Sequence, residues 1–266
     1  MDKSSIIGIF LGIIAIGVGM VLKGVSPLAL LNPGALLIIF VGTAASVCIA
    51  FPGSTLKNIP ALIKIIFKNE KQQRIQDIIG IFTSWATITR KEGLLALESQ
   101  LDEVDDAFLA SGLQLAVDGQ TPEFIRDVML EKIDAMDERH QEGAAVFSQA
   151  GTYAPTLGVL GAVIGLIAAL GDMSDIEALG HAISAAFIAT LFGIFTGYVL
   201  WHPFSNKLRE KSKQEILRKQ IMIEGILSLT TGDSPKVIKD KLSSYLSRKE
   251  LAKMEQEGEH AAEETA

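Results

Sequence analysis

The sequence has 266 residues, of which 48% are hydrophobic and 21% are charged. Its mean hydropathy of +0.34 is too high for an ordinary soluble domain, and its formal net charge of −7 argues against a surface that binds nucleic acid. Cys48 is the only cysteine, so the chain cannot form a disulfide within itself.

Four runs without charge predict four membrane-spanning helices. No Asp, Glu, Lys or Arg occurs in residues 4–22, 24–56, 143–171 and 178–206. A helix needs roughly 20 mostly apolar residues to cross a bilayer. We therefore place the spans at about 4–22, 33–51, 151–171 and 181–201. The first run is too long, and the preceding MDK too weakly basic, for a cleaved signal peptide.

The distribution of basic residues predicts the orientation of the spans. Lysines and arginines follow the second and fourth spans, whereas the loop at 171–180 has neither and the loop after the first span has only Lys23 at its border. Basic loops stay on the cytoplasmic side of a membrane. We therefore expect a multi-pass protein of the cell membrane with both termini in the cytoplasm.

These spans divide the sequence into four parts of an all-α membrane protein. Residues 1–51 form the first transmembrane hairpin, and residues 52–150 form a helical cytoplasmic domain. Residues 151–202 form the second hairpin, and residues 203–266 form cytoplasmic helices followed by a polar tail that we expect to be disordered. Strand signals are weak, because the β-branched runs are long and lie in the spans.

Apolar residues recur at helical spacing in the parts outside the spans. The run at 55–68 is typical of a helix on the inner membrane surface, and the run at 74–91 predicts a second helix. After an interruption at Gly93 the helical pattern resumes. The pair Thr121–Pro122 predicts the start of a helix that continues into the third span, and Ser234 before a proline predicts another short helix.

Small residues form one face of each of the last two spans. In the third span Gly158, Gly161 and Gly165 share a face, and in the fourth span Gly193 and Gly197 belong to a similar face. Small residues let a second backbone approach closely, which favours helix association in lipid. The pattern has two interpretations: the small faces pack the four-span bundle, or they line a pore or a partner helix.

The spans contain no group suited to carrying protons across the membrane. They hold no carboxylate or basic side chain, and the nearby histidines, His181 and His202, sit at span ends. The sequence also has no metal-ligand spacing, nucleophile elbow or phosphate-binding loop, so we expect neither an enzyme nor a cofactor or metal site. A proton crosses hydrocarbon on a titratable group or along water. Any proton-carrying acid must therefore come from a partner.

Several stretches resemble the MotA/TolQ/ExbB proton channel family. They are GTYAPTLGVLGAVIGLIAALG (151–171), GHAISAAFIATLFGIFTGYVLWHPFSNKL (180–208), ITRKEGLLALE (88–98) and EFIRDVMLEKIDAMDERH (123–140). Together with the four-span layout, these stretches are most similar to the MotA-type flagellar stator subunits of Gram-positive bacteria, over roughly residues 1–250.

The resemblance implies a proton channel that drives a motor. Five such chains would surround two single-span chains of the MotB type, whose membrane aspartate binds the ion. Ion flow would turn the ring, and its cytoplasmic domain would push the rotor protein FliG. TolQ and ExbB have three spans and a different loop arrangement, so an ExbB/TolQ-like energy transducer is the alternative. A membrane scaffold without conductance is a third hypothesis.

The resemblance also assigns roles to individual residues. Arg90 and Glu98 match the charged pair that faces the rotor, although exposed charges are often ordinary solvated ones. Pro155 and Pro203 match two prolines at the cytoplasmic ends of the third and fourth spans, where they could also simply kink or end a helix. Thr190 matches the threonine that faces the partner aspartate. Its hydroxyl could instead bond a carbonyl of its own helix.

One position favours protons over sodium ions. Sodium-driven members of the family carry threonine where this sequence has Ala162. Alanine offers no oxygen to a dehydrated sodium ion, which requires several oxygen ligands, whereas a proton needs only the acid and a water. We therefore expect a proton-driven stator.

Overall fold

The structure is a computed structural model that describes residues 3–68, 73–171 and 176–254, and within these ranges the chain contains helices and no β-strand. Of the tail at 253–266 that we expect to be disordered, Lys253 and Met254 are helical, and residues 255–266 lie outside the described ranges. The α-helices are α1 (Lys3–Leu22), α2 (Pro33–Leu36), α3 (Gly42–Ala50), α4 (Gly53–Leu56), α5 (Ile59–Phe67), α6 (Ile75–Glu92), α7 (Ala107–Val117), α8 (Pro122–Leu170), α9 (Ile176–Phe195), α10 (His202–Thr230) and α11 (Pro235–Ser243).

Four helical stretches are long and apolar enough to cross a membrane, which confirms the predicted all-α fold with four spans. They are Lys3–Leu22, Pro33–Ala50, Pro122–Leu170 and Leu179–Thr230. The last two are much longer than a bilayer requires, because the third and fourth spans continue without a break into helical segments that carry charge. The prediction that the helix beginning near Thr121 feeds into the third span is confirmed.

Two π-helical segments, Leu37–Val41 and Thr196–Trp201, lie within the second and fourth spans. In the fourth span the π-helical turn joins α9 to α10, so the backbone stays helical from Ile176 to Thr230. Pro203 therefore does not end a helix. A proline has no N–H and its ring collides with the preceding turn, and the wider π-helical turn accommodates both effects.

Polar side chains cap two helices where the sequence predicts helix starts. At the start of α8, Thr121 Oγ1 accepts a hydrogen bond from the N–H of Phe124 at 3.3 Å. At the start of α11, Ser234 Oγ accepts one from the N–H of Val237, also at 3.3 Å. Gly119 has a φ of +73°, which glycine adopts readily and which turns the chain between α7 and α8. Local sequence signals thus determine these helix starts.

Two helices outside the spans differ from the predicted ones. The run at 55–68 forms α4 and α5 instead of one helix, because Pro60 suits the first turn of α5 but not a helix interior. As a result Ile63, on the predicted apolar face, is 40% exposed. After Gly93 the helical pattern resumes as a 3₁₀ helix, Leu94–Glu103, and not as an α-helix.

The chain divides into two compact units. The first contains Met1–Glu70 and Glu138–Lys211, and the second contains Lys71–Asp137 and Ser212–Ala266. The apolar runs of all four spans belong to the first unit. The helices α8 and α10 contribute residues to both units.

In the first unit, apolar side chains connect α5 with α8 and α10. Ile66 is fully buried in a cluster with Ala144, Phe147 and Leu208. Ser205 is also buried there and donates a hydrogen bond to the carbonyl oxygen of Ala144 at 2.8 Å. Because the buried hydroxyl has a partner, it joins two helices at little desolvation cost.

The second unit has a core to which α6, α7, α8, α10 and α11 contribute and in which glycines allow close packing. Phe82 is fully buried and lies edge-on to Trp85, with ring centroids 5.5 Å apart. A Cβ atom built on Gly225 would lie 2.6 Å from two carbons of the Phe82 ring. A Cβ atom on Gly112 would lie 2.5 Å from Cδ1 of Ile226. A methyl group at Gly225 would therefore overlap a rigid buried ring, whereas at Gly112 the flexible ends of the Ile226 and Met129 side chains would have to move aside.

Replacing Gly225 by alanine should destabilise the second unit. The added methyl group would overlap the buried ring of Phe82, so we expect a loss of about 1–3 kcal/mol in the free energy of unfolding. Gly80→Ala is the matched control, because a Cβ atom at Gly80 on α6 meets nothing within 4 Å and alanine favours the helix. Urea unfolding of the full chain in detergent micelles would measure both variants.

Phe82→Leu should partly rescue Gly225→Ala, because the smaller side chain leaves space for the methyl group. The double variant should then lose less stability than the sum of the two single variants. Additive losses, or an equal loss in Gly80→Ala, would show that contact with Phe82 does not limit position 225.

Candidate functional site

The third and fourth spans approach most closely at Gly158 and Gly193. A Cβ atom built on Gly193 would lie 2.6 Å from the carbonyl oxygen of Ala154 and 2.9 Å from Cα of Gly158. One built on Gly158 would lie 2.8 Å from the carbonyl oxygen of Ala189. These are clashes with backbone, which cannot move aside as a flexible side chain can. Only glycine fits at either position, and the two backbones are in direct contact.

The contact loosens along the third span toward the loop that joins the two spans. A Cβ atom on Gly161 would lie 3.4 Å from Cβ of Ala189 and 3.6 Å from Cδ1 of Ile38. One on Gly165 would lie 3.8 Å from the carbonyl oxygen of Ala182. These are ordinary van der Waals distances. The small faces predicted from the sequence therefore make a tight contact at one end and an open one at the other.

At the other end of this contact the fourth span packs on the turn that contains Pro155. Proline lacks an N–H, so the carbonyl of Gly151 loses its usual helical donor. A Cβ atom built on Gly197 would lie 2.8 Å from that carbonyl oxygen and 2.9 Å from Cγ of Pro155. Gly197 thus lets the fourth span approach the proline turn of the third, and each of the five predicted glycines has a contact within the chain.

A histidine at the end of the fourth span covers the start of the third. A Cβ atom built on Gly151 would lie 2.8 Å from Cγ and Cδ2 of His202. The ring of Tyr198, one turn earlier, lies 5.3 Å from the His202 ring, centroid to centroid. The N–H of His202 donates to the carbonyl of Gly197, five residues earlier, as a π-helical turn requires. The two prolines, the π-helical turn and this ring pair therefore lie at the same ends of the two spans.

The hydroxyl groups of these spans bond mainly to their own helices. Thr190 is half-buried, and its Oγ1 donates to the carbonyl oxygen of Ala186 at 3.3 Å. Thr196 is buried and donates to the carbonyl oxygen of Phe192 at 2.8 Å. Ala162 is half-buried on the third span. In the isolated chain Thr190 thus makes the local bond that the sequence allows, and its contact with an aspartate stays a prediction.

No group of three or more His, Cys, Asp or Glu side chains that could hold a metal ion occurs within the described residues. The exposed faces of the third and fourth spans carry large apolar side chains instead. They include Val159, Val163, Ile167, Ile183, Phe187 and Ile194. These faces can pack against lipid or other helices, and they carry no Asp, Glu, Lys or Arg.

The predicted rotor-facing pair lies in the second unit, on either side of a sharp turn. Arg90 is in the last turn of α6, and Glu98 is in the 3₁₀ helix that follows Gly93, whose φ is +85°. Both charged side chains are exposed, whereas Leu97 between them is fully buried. Burial of Leu97 holds the 3₁₀ helix against the core, which leaves Glu98 on the surface.

Sequence reasoning missed the π-helical segment Thr196–Trp201 and the contact of His202 with Gly151. The spacing between Thr196 and Pro203 is not a known signal for a π-helical turn. The positions of the glycines do not show which side chain packs on Gly151. The signal that could have located the π-helical turn was Pro203 itself, since an uninterrupted apolar run around a proline requires some local adjustment of the helix.

Comparisons with known proteins relate this arrangement to a family. Residues 100–221 match the MotA/TolQ/ExbB proton channel family. Motility protein A of Bacillus subtilis is 60% identical over 259 residues, which cover 97% of this chain and 96% of that protein. The chain belongs to the MotA/TolQ/ExbB proton channel family.

Solved structures of family members agree with this fold over nearly the whole chain. A chain in the flagellar MotAB stator complex from Bacillus subtilis superposes with a TM-score of 0.90 at 61% identity, covering 95% of this chain and 99% of that one. A chain of C. jejuni MotAB superposes with a TM-score of 0.88 at 31% identity, covering 93% of this chain and 97% of that one. The chain is therefore a multi-pass membrane protein of the flagellar stator type, and an ExbB/TolQ-like energy transducer is not favoured.

Proposed function

We propose that the chain is the MotA-type subunit of a proton-driven flagellar stator. Five copies would surround two single-span chains of the MotB type, with both termini and the second compact unit in the cytoplasm. Proton flow would turn the ring of five, and the second unit would push the rotor protein FliG. Each charge that falls through 100 mV releases about 2.3 kcal/mol, which is the energy available to each step.

The absence of Asp, Glu, Lys and Arg from the spans carries this proposal. A proton needs a titratable group or a water chain to cross hydrocarbon, and the third and fourth spans have no carboxylate in their interior, while His181 lies at a span end. An aspartate on a MotB-type helix would supply the carrier. The solved relatives belong to MotAB assemblies, which supports a partner of this kind.

In our proposal, Thr190 in the middle of the fourth span and the prolines at the ends of the spans couple protonation of the partner to movement. Thr190 would exchange its bond to Ala186 for one to the partner aspartate or its water, because a hydroxyl both donates and accepts. Pro155 and Pro203 leave helix carbonyls without their usual donors, so these turns can adjust without breaking regular bonds. Gly158 and Gly193 would hold the two spans together while they move.

The proposal is tested by restoring swimming to a strain that lacks its own stator genes. The chain and a MotB-type partner should restore it, and Arg90→Glu and Glu98→Lys should each impair it strongly. Reversing either charge would weaken the attraction to an oppositely charged rotor surface, an effect that salt also screens. Swimming speed and the amount of chain in the membrane would both be measured.

Two exposed neighbours serve as matched controls for this experiment. Lys91→Glu and Glu92→Lys reverse charges at the end of the same helix, and we expect a smaller effect on swimming. Unchanged swimming in Arg90→Glu, in Glu98→Lys and in the double reversal would exclude a dominant role for this pair.

Swimming should persist in sodium-free medium and collapse when a protonophore is added. The physical reason is the lack of oxygen ligands: Ala162 has no side-chain oxygen, and sodium bound without water requires several. Swimming speed would be recorded at fixed proton gradient while external sodium is varied. A speed that follows the sodium concentration would contradict proton coupling.

A further inference from the structure

A cavity of about 360 Å³ lies beside the first turns of α1, in the first compact unit. It is enclosed on one side by α1, from Ser4 to Ile9, and on the other by the segment from Tyr198 to Lys207. Its volume is within the range of roughly 300–1,000 Å³ found for small-molecule sites. The cavity borders Pro203 and Tyr198 at the proline end of the fourth span, but Gly158 and Gly193, where the third and fourth spans touch, do not line it.

The two ends of this cavity differ in chemistry. At one end Lys207 Nζ donates a hydrogen bond to Ser4 Oγ at 3.0 Å. Apart from Ser5 and Tyr198, the rest of the lining is apolar and includes Ile9, Val199 and Phe204. No carboxylate is among the described residues that line the cavity. It thus suits a molecule with an anionic group at one end and a hydrocarbon chain at the other.

The position of the cavity along the sequence corresponds to the border of a membrane. Residues 4–22 and 178–206 carry no charge, and Lys3 precedes the first run while Lys207 follows the second. Basic residues at such borders lie at the level of the lipid headgroups. Tyr198 at the cavity is 65% exposed, and tyrosine is enriched at that same level.

We infer that this cavity binds one phospholipid with an anionic headgroup. Its phosphate lies beside Lys207 and Ser4, and one acyl chain lies along Ile9, Val199 and Phe204. Basic pockets between membrane helices recognise anionic headgroups by charge. The apolar wall of the cavity packs against part of the acyl chain and separates it from the surrounding lipids. The site borders Pro203, but this inference does not depend on the coupling role that we propose for that residue.

The chain offers a direct way to fill the cavity. A Cβ atom at Gly8, which lines the cavity, meets nothing within 4 Å, so Gly8→Leu places a side chain there without displacing the backbone. Gly17 is the matched control, because it lies on the same helix, also has nothing within 4 Å of a Cβ atom, and does not line the cavity. Lys207→Gln removes the charge and keeps the approximate size.

The test measures phospholipid retained by the assembled complex of this chain with its partner, purified in mild detergent. Native mass spectrometry should find bound phosphatidylglycerol on the unchanged complex and on Gly17→Leu. Gly8→Leu should lose it, and Lys207→Gln should retain about fivefold less. Equal retention by Gly8→Leu and Gly17→Leu would overturn the inference, as would equal retention of phosphatidylcholine and phosphatidylglycerol when each is supplied in turn.

A second copy of this chain is the competing occupant, and a photocrosslinking amino acid at position 8 distinguishes the two. If lipid fills the cavity, the crosslinker should attach to phospholipid and the chain should run as a monomer on a denaturing gel. A covalent dimer of the chain would instead show that a neighbouring subunit fills the cavity, and the inference would be wrong.

Discussion

Liposomes that contain the purified chain alone should show no proton conductance, whereas liposomes that also contain an unplugged MotB-type partner should conduct. The spans contain no Asp, Glu, Lys or Arg, and His181 and His202 lie at span ends. Without a carrier, transfer of a proton into hydrocarbon is too costly to occur at a measurable rate. A pH-sensitive dye inside the liposomes would record the flux after a potential is imposed.

Three variants separate the contributions to this flux. Changing the partner's membrane aspartate to asparagine should abolish it, because the amide cannot carry a proton. Thr190→Val should reduce flux while the complex still assembles, and Thr190→Ser should restore it, because serine retains the hydroxyl. Robust, selective conductance by the chain alone would contradict our proposal that the partner's aspartate carries the proton.

Gly193→Ala should disrupt the contact between the third and fourth spans and abolish swimming. The added methyl group would lie 2.6 Å from the backbone oxygen of Ala154, and overpacking of this kind typically costs about 1–3 kcal/mol. The two backbones would have to separate at Gly158, where they now touch. The thermal unfolding temperature of the complex and the fraction assembled would be measured together with swimming.

Two glycines on the same spans provide controls for this prediction. Gly180 lies on the same helix as Gly193, and a Cβ atom there meets nothing within 4 Å. Gly165 faces the fourth span, but its nearest neighbour would be 3.8 Å away. Gly180→Ala and Gly165→Ala should therefore assemble and support swimming. Loss of assembly in all three variants would indicate that glycine itself, and not the close approach at Gly193, is required.

The four spans and the helix starts were predictable because their signals are local. A charge-free run of membrane length has few alternatives to a spanning helix, and the pairs at Thr121 and Ser234 carry capping side chains in the positions that helix starts require. The family could be recognised for a similar reason, since the stretches 151–171 and 180–208 are long, continuous and distinctive in sequence.

The contacts between elements could not be predicted from the same signals. Periodicity placed Gly158, Gly161 and Gly165 on one face, but it could not show that only the first is in backbone contact. Nor could it show that a π-helical turn accommodates Pro203, because a membrane helix can adjust to a proline in several ways. Such features depend on the crossing of two helices, which neither helix specifies alone.

The second compact unit is built from two distant parts of the chain, and this determines when it can fold. Synthesis delivers roughly 5–20 residues per second from the N-terminus, so α6 and α7 are made before the second hairpin enters the membrane. Phe82 and Leu113 then lack a packing partner until Ile226 of α10, which belongs to the same core, has been synthesised. If only one of the last two spans inserted, α10 would end on the opposite side of the membrane from α6. The unit would then keep an apolar surface that chaperones and proteases recognise, so its completion reports whether insertion has succeeded.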